Sequence, residues 1–233
     1  MKFRFCFTAA AVLAASMVSQ QASASLIVEA NYADMNGQSV QLRHKGANST
    51  VDAGLMQFNL RADTDLSALP FDVNGMSVDA FCVEFTQGVR SGWHSYNLVE
   101  TSQVFSATQS QAIERLYTAY HPVVGDATSN AAFQLALWEI VHETSANWNL
   151  RTGDFRVRTG GAVRDLATNW LASLDSIESQ FSLYVLTNPL SQNQLVFSGV
   201  PLNTPDPVTS VPVPATLGLF GLGALMLFRR RKA

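Results

Sequence analysis

The segment 131–142, AAFQLALWEIVH, is apolar on almost every side, and this limits the possible folds more than any other feature of the chain. A helix at this position has no polar stripe that could face water, so we expect neighbouring elements to cover it all round. Gln134 is the only side-chain amide in the segment. A buried amide without hydrogen-bond partners costs about 1–3 kcal/mol, so this amide must be satisfied or consumed by a reaction.

Periodic patterns on both sides of this segment predict strands, then helices, then strands again. Alternating apolar residues predict strands over 26–28, 39–43, 54–60, 79–86, 96–100, 182–186 and 194–198. Apolar residues at helical spacing predict helices over 109–120, 131–142 and 163–174, with Ser129 or Asn130 as the N-cap of the second. This order predicts an α+β fold in which an antiparallel β-sandwich or barrel-like part carries an inserted helical part.

The N-terminus has the three parts of a secretory signal peptide. Lys2 and Arg4 precede an apolar run over 5–18, and Ala-Ser-Ala at 22–24 supplies the small residues that signal peptidase requires. We therefore expect a signal peptide at 1–24, a folded α+β domain at 25–200 and a linker at 201–210. Cleavage of the signal peptide also removes one of the two cysteines.

The C-terminus combines a proline-rich hinge, an apolar run over 215–228 and a basic end. The hinge contributes Val211, Pro212 and Pro214, and the basic end contributes Arg229, Arg230 and Arg231. The apolar run is shorter than the roughly 20 residues of a typical transmembrane helix, but its Leu, Phe and Gly content fits a short one. The basic residues would then stay on the cytoplasmic side of the inner membrane.

The tail at 211–233 resembles the PEP-CTERM tails of Gram-negative bacteria. The resemblance implies that an exosortase recognises the tail and processes it. The protein would be exported across the inner membrane as a membrane-anchored precursor and then reach the cell surface or the extracellular space. Val213 stands where the family motif has glutamate.

Between the predicted signal and tail the chain is acidic. This part holds 9 basic and 18 acidic residues, which gives a net charge of −9. We expect no basic patch, and therefore no binding to nucleic acids or anionic lipids. We expect Arg156, Arg158 and Arg164 to pair with nearby acids, and Glu139 and Glu143 to lie on the solvated edge of their helix. The histidines are too dispersed for a metal site, and no cofactor is expected.

Cys82 is the single cysteine that remains after signal cleavage, and exported proteins usually pair their cysteines. A cysteine without a partner in its own chain is buried and inert, forms a disulfide with another chain, is catalytic, or has its thiol blocked by a covalent bond. The thiol can be blocked in this way, because a cysteine thiol and the Gln134 amide can condense into an internal thioester with loss of ammonia. In the predicted strand 79–86, Cys82 shares a face with Glu84. Trp138, one helical turn after Gln134, is expected to shield the bond, and His142 or His94 is a possible base.

The segments FCVEF (81–85) and AFQLALWEI (132–140) resemble the thioester domain of bacterial surface adhesins. Gln134, Ala136 and Trp138 match the helical motif of that family, whereas Leu137 replaces isoleucine and Phe133 replaces threonine. The resemblance implies that Cys82 and Gln134 form the bond, and that a β-rich part is joined to a helical part.

These observations predict an exported covalent adhesin that captures an amine or hydroxyl on a surface, a polysaccharide or a neighbouring protein. Such a protein reacts once, so it is not a turnover enzyme. One alternative is a non-covalent structural component of an extracellular matrix or biofilm, in which Cys82 is simply buried. Another is a Cys-His hydrolase with Cys82 as nucleophile, although no orienting Asn or Asp has a recognisable spacing.

Overall fold

The computed structural model describes residues 26–143 and 147–202. The predicted signal peptide at 1–24 and sorting tail at 211–233, with its short transmembrane helix, lie outside these ranges, as does most of the predicted linker at 201–210. Within the described ranges, no helix has the length and apolar character needed to cross a membrane.

Strands form the first part of the described chain, helices the middle and short strands the end. The first four strands are β1 Leu26–His44, β2 Ala47–Leu60, β3 Ser77–Cys82 and β4 Trp93–Glu100. The helices are α1 Thr101–Val104, α2 Ala107–Tyr120, α3 Ala127–His142 and α4 Ala162–Ser173, with strand β5 Phe155–Val157 between α3 and α4. The last strands are β6 Phe181–Ser182, β7 Tyr184–Thr187, β8 Gln194–Val196 and β9 Val200–Pro201.

Six of these strands close into a ring because β1 pairs with β2 as well as with β4. From β2 the order continues through β3, β8 and β7 back to β4. The pairings around the ring are antiparallel. β5 extends the sheet beside the C-terminal end of β1, where Arg43 lies opposite Arg156. The predicted α+β class, with an antiparallel and barrel-like sheet, is therefore confirmed.

β1 is one continuous strand of 19 residues, although the sequence predicted two short strands at 26–28 and 39–43. A bulge between Tyr32 and Asp34 interrupts its register with β2. A bulge bends a strand and increases its twist, which helps one long strand to take part in both sides of a closed ring. Polar and glycine residues around the bulge hide the alternation from which strands are predicted.

α3 lies between the sheet and the other helices, and twelve of its sixteen residues are buried. It contacts β1, β2 and β5 as well as α2 and α4. The side chain of Asp126 caps its N-terminus by accepting hydrogen bonds from the main-chain N–H groups of Thr128 (2.7 Å) and Ser129 (2.9 Å). The predicted cap at Ser129 or Asn130 is wrong, because an earlier aspartate satisfies two of the free N–H groups.

β3 ends at Cys82, so the predicted strand to residue 86 is too long. Phe81, Cys82 and Val83 are 0%, 2% and 4% exposed, which means that both faces of the chain are covered here. The short strands β5 and β9 were not predicted, whereas the predicted strand 182–186 covers the end of β6 and most of β7. The buried side chains of sheet and helices form one core around α3.

Candidate functional site

The side-chain amide of Gln134 is bonded to the main chain of Cys82 at both of its polar atoms. The Cys82 N–H donates to Gln134 Oε1 at 2.9 Å, and Gln134 Nε2 donates to the Cys82 carbonyl oxygen at 2.7 Å. Gln134 is completely buried. The structure thus brings together the two residues that sequence reasoning singled out, and the paired hydrogen bonds remove the penalty of a buried amide.

The thiol of Cys82 points to a different amide. Its Sγ donates to Gln192 Oε1 at 3.0 Å and lies 3.6 Å from Met56 Sδ. Burial raises the pKa of the Cys82 thiol to about 12. The thiol is therefore protonated at neutral pH, and it is a weak nucleophile until a base removes its proton.

Gln192 and Gln194 belong to this site, and sequence reasoning missed them. The antiparallel pairing of β3 with β8 places Gln194 opposite Cys82. Gln192 Nε2 also donates to the main-chain oxygen of Glu84, and Gln194 Nε2 donates to the Gln192 main-chain oxygen at 3.2 Å. The signal that could have found them is the polar run Ser-Gln-Asn-Gln at 191–194, directly before an apolar strand.

A stripe of α3 follows the chain from Cys82 to Phe85. Gln134, Trp138 and His142 are spaced four residues apart, so they lie on one face of the helix. The Trp138 ring meets the Phe85 ring edge-on with 5.4 Å between centroids, and the His142 ring lies 4.5 Å from Phe85. Trp138 is 1% exposed and packs beside the Cys82 segment. Its role in shielding a bond stays a prediction.

The two histidines proposed as bases occupy different places. His142 hydrogen-bonds the main chain of Val83, and burial, together with the nearby His44, lowers its pKa to about 4. Its imidazole is therefore neutral at pH 7 and next to the residue that follows Cys82. His94 lies on β4, where its Nε2 is 3.0 Å from the main-chain oxygen of Ser91. Within the described ranges, the hydrogen-bond partners of the Cys82 thiol are Gln192 and Met56, and neither histidine is one of them.

Glu139 is completely buried and Glu143 is 8% exposed, so the expectation of a solvated edge is wrong. Burial raises the pKa of Glu139 to about 8, and a hydrogen bond from the main-chain N–H of Asn149 partly opposes this. The second oxygen of the Glu139 carboxyl has no partner among the described residues. α3 therefore carries a carboxyl group that is largely neutral near pH 7.

The expectation that Arg156, Arg158 and Arg164 pair with acids is also wrong. Within the described ranges the ion pairs are Arg61–Glu29, Arg115–Asp175 and Arg151–Asp165. The three arginines instead line one cavity together with Arg43 and Arg151. The acidic net charge of the domain hides this local basic cluster, so the expectation of no basic patch was wrong as well.

Beyond the described residues, 210–232 match the family model for the PEP-CTERM protein-sorting motif. This chain carries a PEP-CTERM sorting motif. The motif implies an exported protein of a Gram-negative bacterium that is recognised by an exosortase in the inner membrane. The match covers 211–232 of the predicted tail, including Val213 in place of the usual glutamate. Neither the curated proteins nor the solved structures contain a significant match to the chain, so the role of the folded domain rests on its own residues.

Proposed function

We propose that this exported protein captures a nucleophile covalently through an internal thioester between Cys82 and Gln134. The observation that carries the proposal is the hydrogen-bonded pair between the Gln134 amide and the Cys82 main chain. This pair holds the acyl carbon of Gln134 against the residue that bears the thiol. Pre-positioning of this kind lowers the barrier to a reaction between two groups.

Bond formation would begin with attack of Cys82 Sγ on Gln134 Cδ. The negative charge then develops on Gln134 Oε1, which already accepts the Cys82 N–H at 2.9 Å. A main-chain N–H in this position stabilises the tetrahedral intermediate. The C–N bond breaks, ammonia leaves with the proton of the thiol, and a C–S bond replaces the C–N bond. Because the thiol is protonated at neutral pH, this step is slow and depends on transfer of that proton.

In the capture of a partner, the Cys82 sulfur would be the leaving group, whereas in bond formation it is the nucleophile. An amine or hydroxyl of the partner attacks Cδ, the C–S bond breaks, and Cys82 takes up the proton that the nucleophile loses. The product is an amide or an ester on Gln134. Cys82 is 2% exposed, so water is kept from the bond until its cover opens. The segment 83–92, which directly follows Cys82, contains no helix or strand.

The second reading is a non-covalent component of an extracellular matrix. It is favoured by one observation: Cys82 Sγ donates to Gln192, whereas Gln134 uses both polar atoms of its amide on the Cys82 main chain. In this reading the Gln134 amide, with both of its polar atoms hydrogen-bonded, ties α3 to β3, whereas Gln194 Oε1 has no partner among the described residues. Buried hydrogen bonds of this kind stabilise a unique packing without any reaction.

Intact mass of the exported, processed protein separates the two readings. A thioester lowers the mass by one ammonia, and methylamine then adds to the protein while the thiol becomes titratable. Cys82→Ala should abolish both effects. Gln134→Ala should also abolish them, whereas Gln192→Ala should leave them in place. If Gln192→Ala abolishes the mass deficit and the methylamine adduct and Gln134→Ala does not, the acyl donor is Gln192.

An unmodified mass, with one thiol titratable after denaturation, would exclude the thioester. The matrix reading would then remain, with Gln134 as a structural residue.

A further inference from the structure

Five arginines meet at one cavity on the surface of this acidic domain. The cavity has a volume of about 290 Å³ and is lined by Arg43, Arg151, Arg156, Val157, Arg158 and Arg164. They are five of the nine basic residues between the predicted signal and the sorting tail. None of the lining residues is acidic, although Asp165 pairs with Arg151.

The backbone forces two of these charges together. Arg43 on β1 lies directly opposite Arg156 on β5. Like charges in directly opposite positions destabilise a strand pair, so this register is unfavourable unless an anion lies between or beside them. The main-chain N–H of Arg158 donates to the Gln41 carbonyl oxygen at 2.8 Å, which holds the third arginine beside the same edge.

The guanidinium groups are poorly neutralised by the protein itself. Arg151 pairs with Asp165 at 3.2 Å, but both side chains are more than half exposed. Arg156 Nε donates to the main-chain oxygen of Gly153 at 2.7 Å, a neutral acceptor. Arg164 Nε is buried and has no partner among the described residues. Among the described residues the cavity thus presents guanidinium groups that are only partly neutralised, with the fork geometry that suits carboxylate and sulfate oxygens.

A second cavity of about 310 Å³ adjoins the first and shares Arg158 with it. Its other lining residues carry amides, hydroxyls and one apolar side chain: Gln41, Leu42, Asn48, Ser49 and Thr50. Amide and hydroxyl groups can each donate and accept, which matches the hydroxyls of a sugar. The two cavities together reach the size of a small-molecule site.

We propose that these adjoining cavities, which we term the arginine site, bind an acidic saccharide. Its carboxylate or sulfate groups would lie on the five arginines, and its hydroxyls on the neighbouring amides and hydroxyls. The arginine site lies apart from the Cys82–Gln134 pair in sequence and lining residues, so the inference goes beyond the proposed function and does not depend on a thioester.

A saccharide fits this site better than a nucleic acid. No aromatic side chain lines either cavity, so stacking platforms for bases are absent from the described lining. The net charge of −9 repels a long polyanion beyond the site. At physiological ionic strength that repulsion is screened within about 8 Å, so a short acidic segment is attracted by the nearby arginines. The sorting motif at 210–232 also implies a protein that leaves the cytoplasm.

The test is calorimetric titration of the exported, processed protein with fragments of polygalacturonate and of a sulfated polysaccharide, with neutral dextran and inorganic sulfate for comparison. The double variant Arg156→Gln/Arg158→Gln removes two charges from the arginine site. Arg61→Gln/Arg90→Gln removes two charges from exposed arginines elsewhere, so the change in net charge is the same. We expect the first double variant to lose at least about tenfold in affinity for the acidic fragments, and the second to bind like the wild type.

A measurement without ligand adds an independent check on folding and on charge repulsion. At low salt the Arg156→Gln/Arg158→Gln variant should be at least as stable to heat as the wild type, because two repelling charges are gone. A large loss of stability would contradict the claim that these arginines repel each other in the free protein.

Three results would overturn the inference. Equal loss of affinity in the two double variants would mean that diffuse charge, not the arginine site, attracts the ligand. Equal binding of dextran would mean that acidic groups have no role. Binding of inorganic sulfate as tight as that of the fragments would reduce the site to one for small anions. Cys82→Ala should bind the fragments like the wild type, so failure of the thioester proposal leaves this result unaffected.

Discussion

The Gln134 carboxamide accepts from the N–H of Cys82 and donates to the carbonyl oxygen of the same residue, across 52 positions of sequence. A side chain of α3 thus takes the place of a neighbouring strand for the last residue of β3. The helical insert and the sheet are joined at this point by two buried hydrogen bonds. Their strength can be measured whether or not a thioester forms.

Gln134→Leu should destabilise the protein by about 1–3 kcal/mol for each main-chain group of Cys82 that is left without a partner. The check is urea unfolding of both proteins after treatment with ammonia, which converts any thioester back to the Gln134 amide and the free Cys82 thiol and so makes the comparison one of hydrogen bonds. Gln111→Leu on the exposed face of α2 is the control, and its stability should change little. A Gln134→Leu variant as stable as this control would show that the pair contributes nothing.

Trp138→Phe should cost far less stability than Trp138→Ala. Trp138 is 1% exposed and its ring packs on Phe85, but its Nε1 has no partner among the described residues. Phenylalanine keeps an aromatic edge against Phe85 and removes an unsatisfied N–H, whereas alanine leaves a cavity that costs about 3–5 kcal/mol. Thermal unfolding of the three proteins measures this difference. Equal losses in the two variants would mean that Nε1 has a bonding role.

Glu139 should make stability fall as pH rises. Burial raises its pKa from 4.5 in the unfolded chain to about 8 in the fold. Between these values the folded state holds a proton that the unfolded state has lost. Stability from this group is therefore fully present below about pH 4.5 and is lost at about 1.4 kcal/mol per pH unit up to pH 8.

The contribution of His142 to stability changes with pH in the opposite direction and over a lower pH range. Its pKa falls from 6.5 to about 4 in the fold, so the unfolded state binds the extra proton between these values and stability rises with pH. Of these two groups, only Glu139 changes the stability between pH 6.5 and 8. Glu139→Gln should therefore gain stability relative to the wild type as pH rises from 6.5 to 8. Parallel stability curves in urea across this range would show that Glu139 is not protonated in the fold.

Gly37→Ala should destabilise the β1–β2 hairpin by about 1–3 kcal/mol. Gly37 lies opposite Gly54, and a Cβ on Gly37 would come within 2.1 Å of the Ala53 main-chain oxygen and 2.6 Å of Gly54 Cα. Backbone cannot move aside as a flexible side chain can. Gly88→Ala is the matched control, since a Cβ there meets nothing within 4 Å. Similar melting temperatures for the two variants would disprove this close contact.

Part of the candidate site could be found from contiguous residues. The burial of α3 follows from an apolar segment that offers no polar face, and the same reasoning singled out Gln134 as an amide in need of a partner. The structure supplies that partner at Cys82. The polar run 191–194 makes Gln192 noticeable, but its contact with the thiol could not be predicted, because that contact depends on the register that sets Cys82 opposite Gln194.

The arginine site shows the same limit more strongly. Its arginines come from β1, β5, α4 and the segments before and after β5, and no spacing along the chain relates Arg43 to the other four. A count of charges gave a uniformly acidic domain, because a sum carries no information about position. The prediction that Glu139 is solvated was wrong for a related reason. A carboxylate at the end of an apolar helix is usually solvated, but here other elements bury it completely.

By itself, the sequence determined the three long helices and the general order of strands, helices and strands, the buried central helix, the α+β class and the sorting signal at the C-terminus. These are properties of neighbouring residues, whose spacing decides which side chains share a face. Only the tertiary structure decided that β1 closes the ring, that two further glutamines surround Cys82 and that five arginines meet. Those relationships depend on which strand edges pair and in which register, and pairing is settled by the packing of the whole domain.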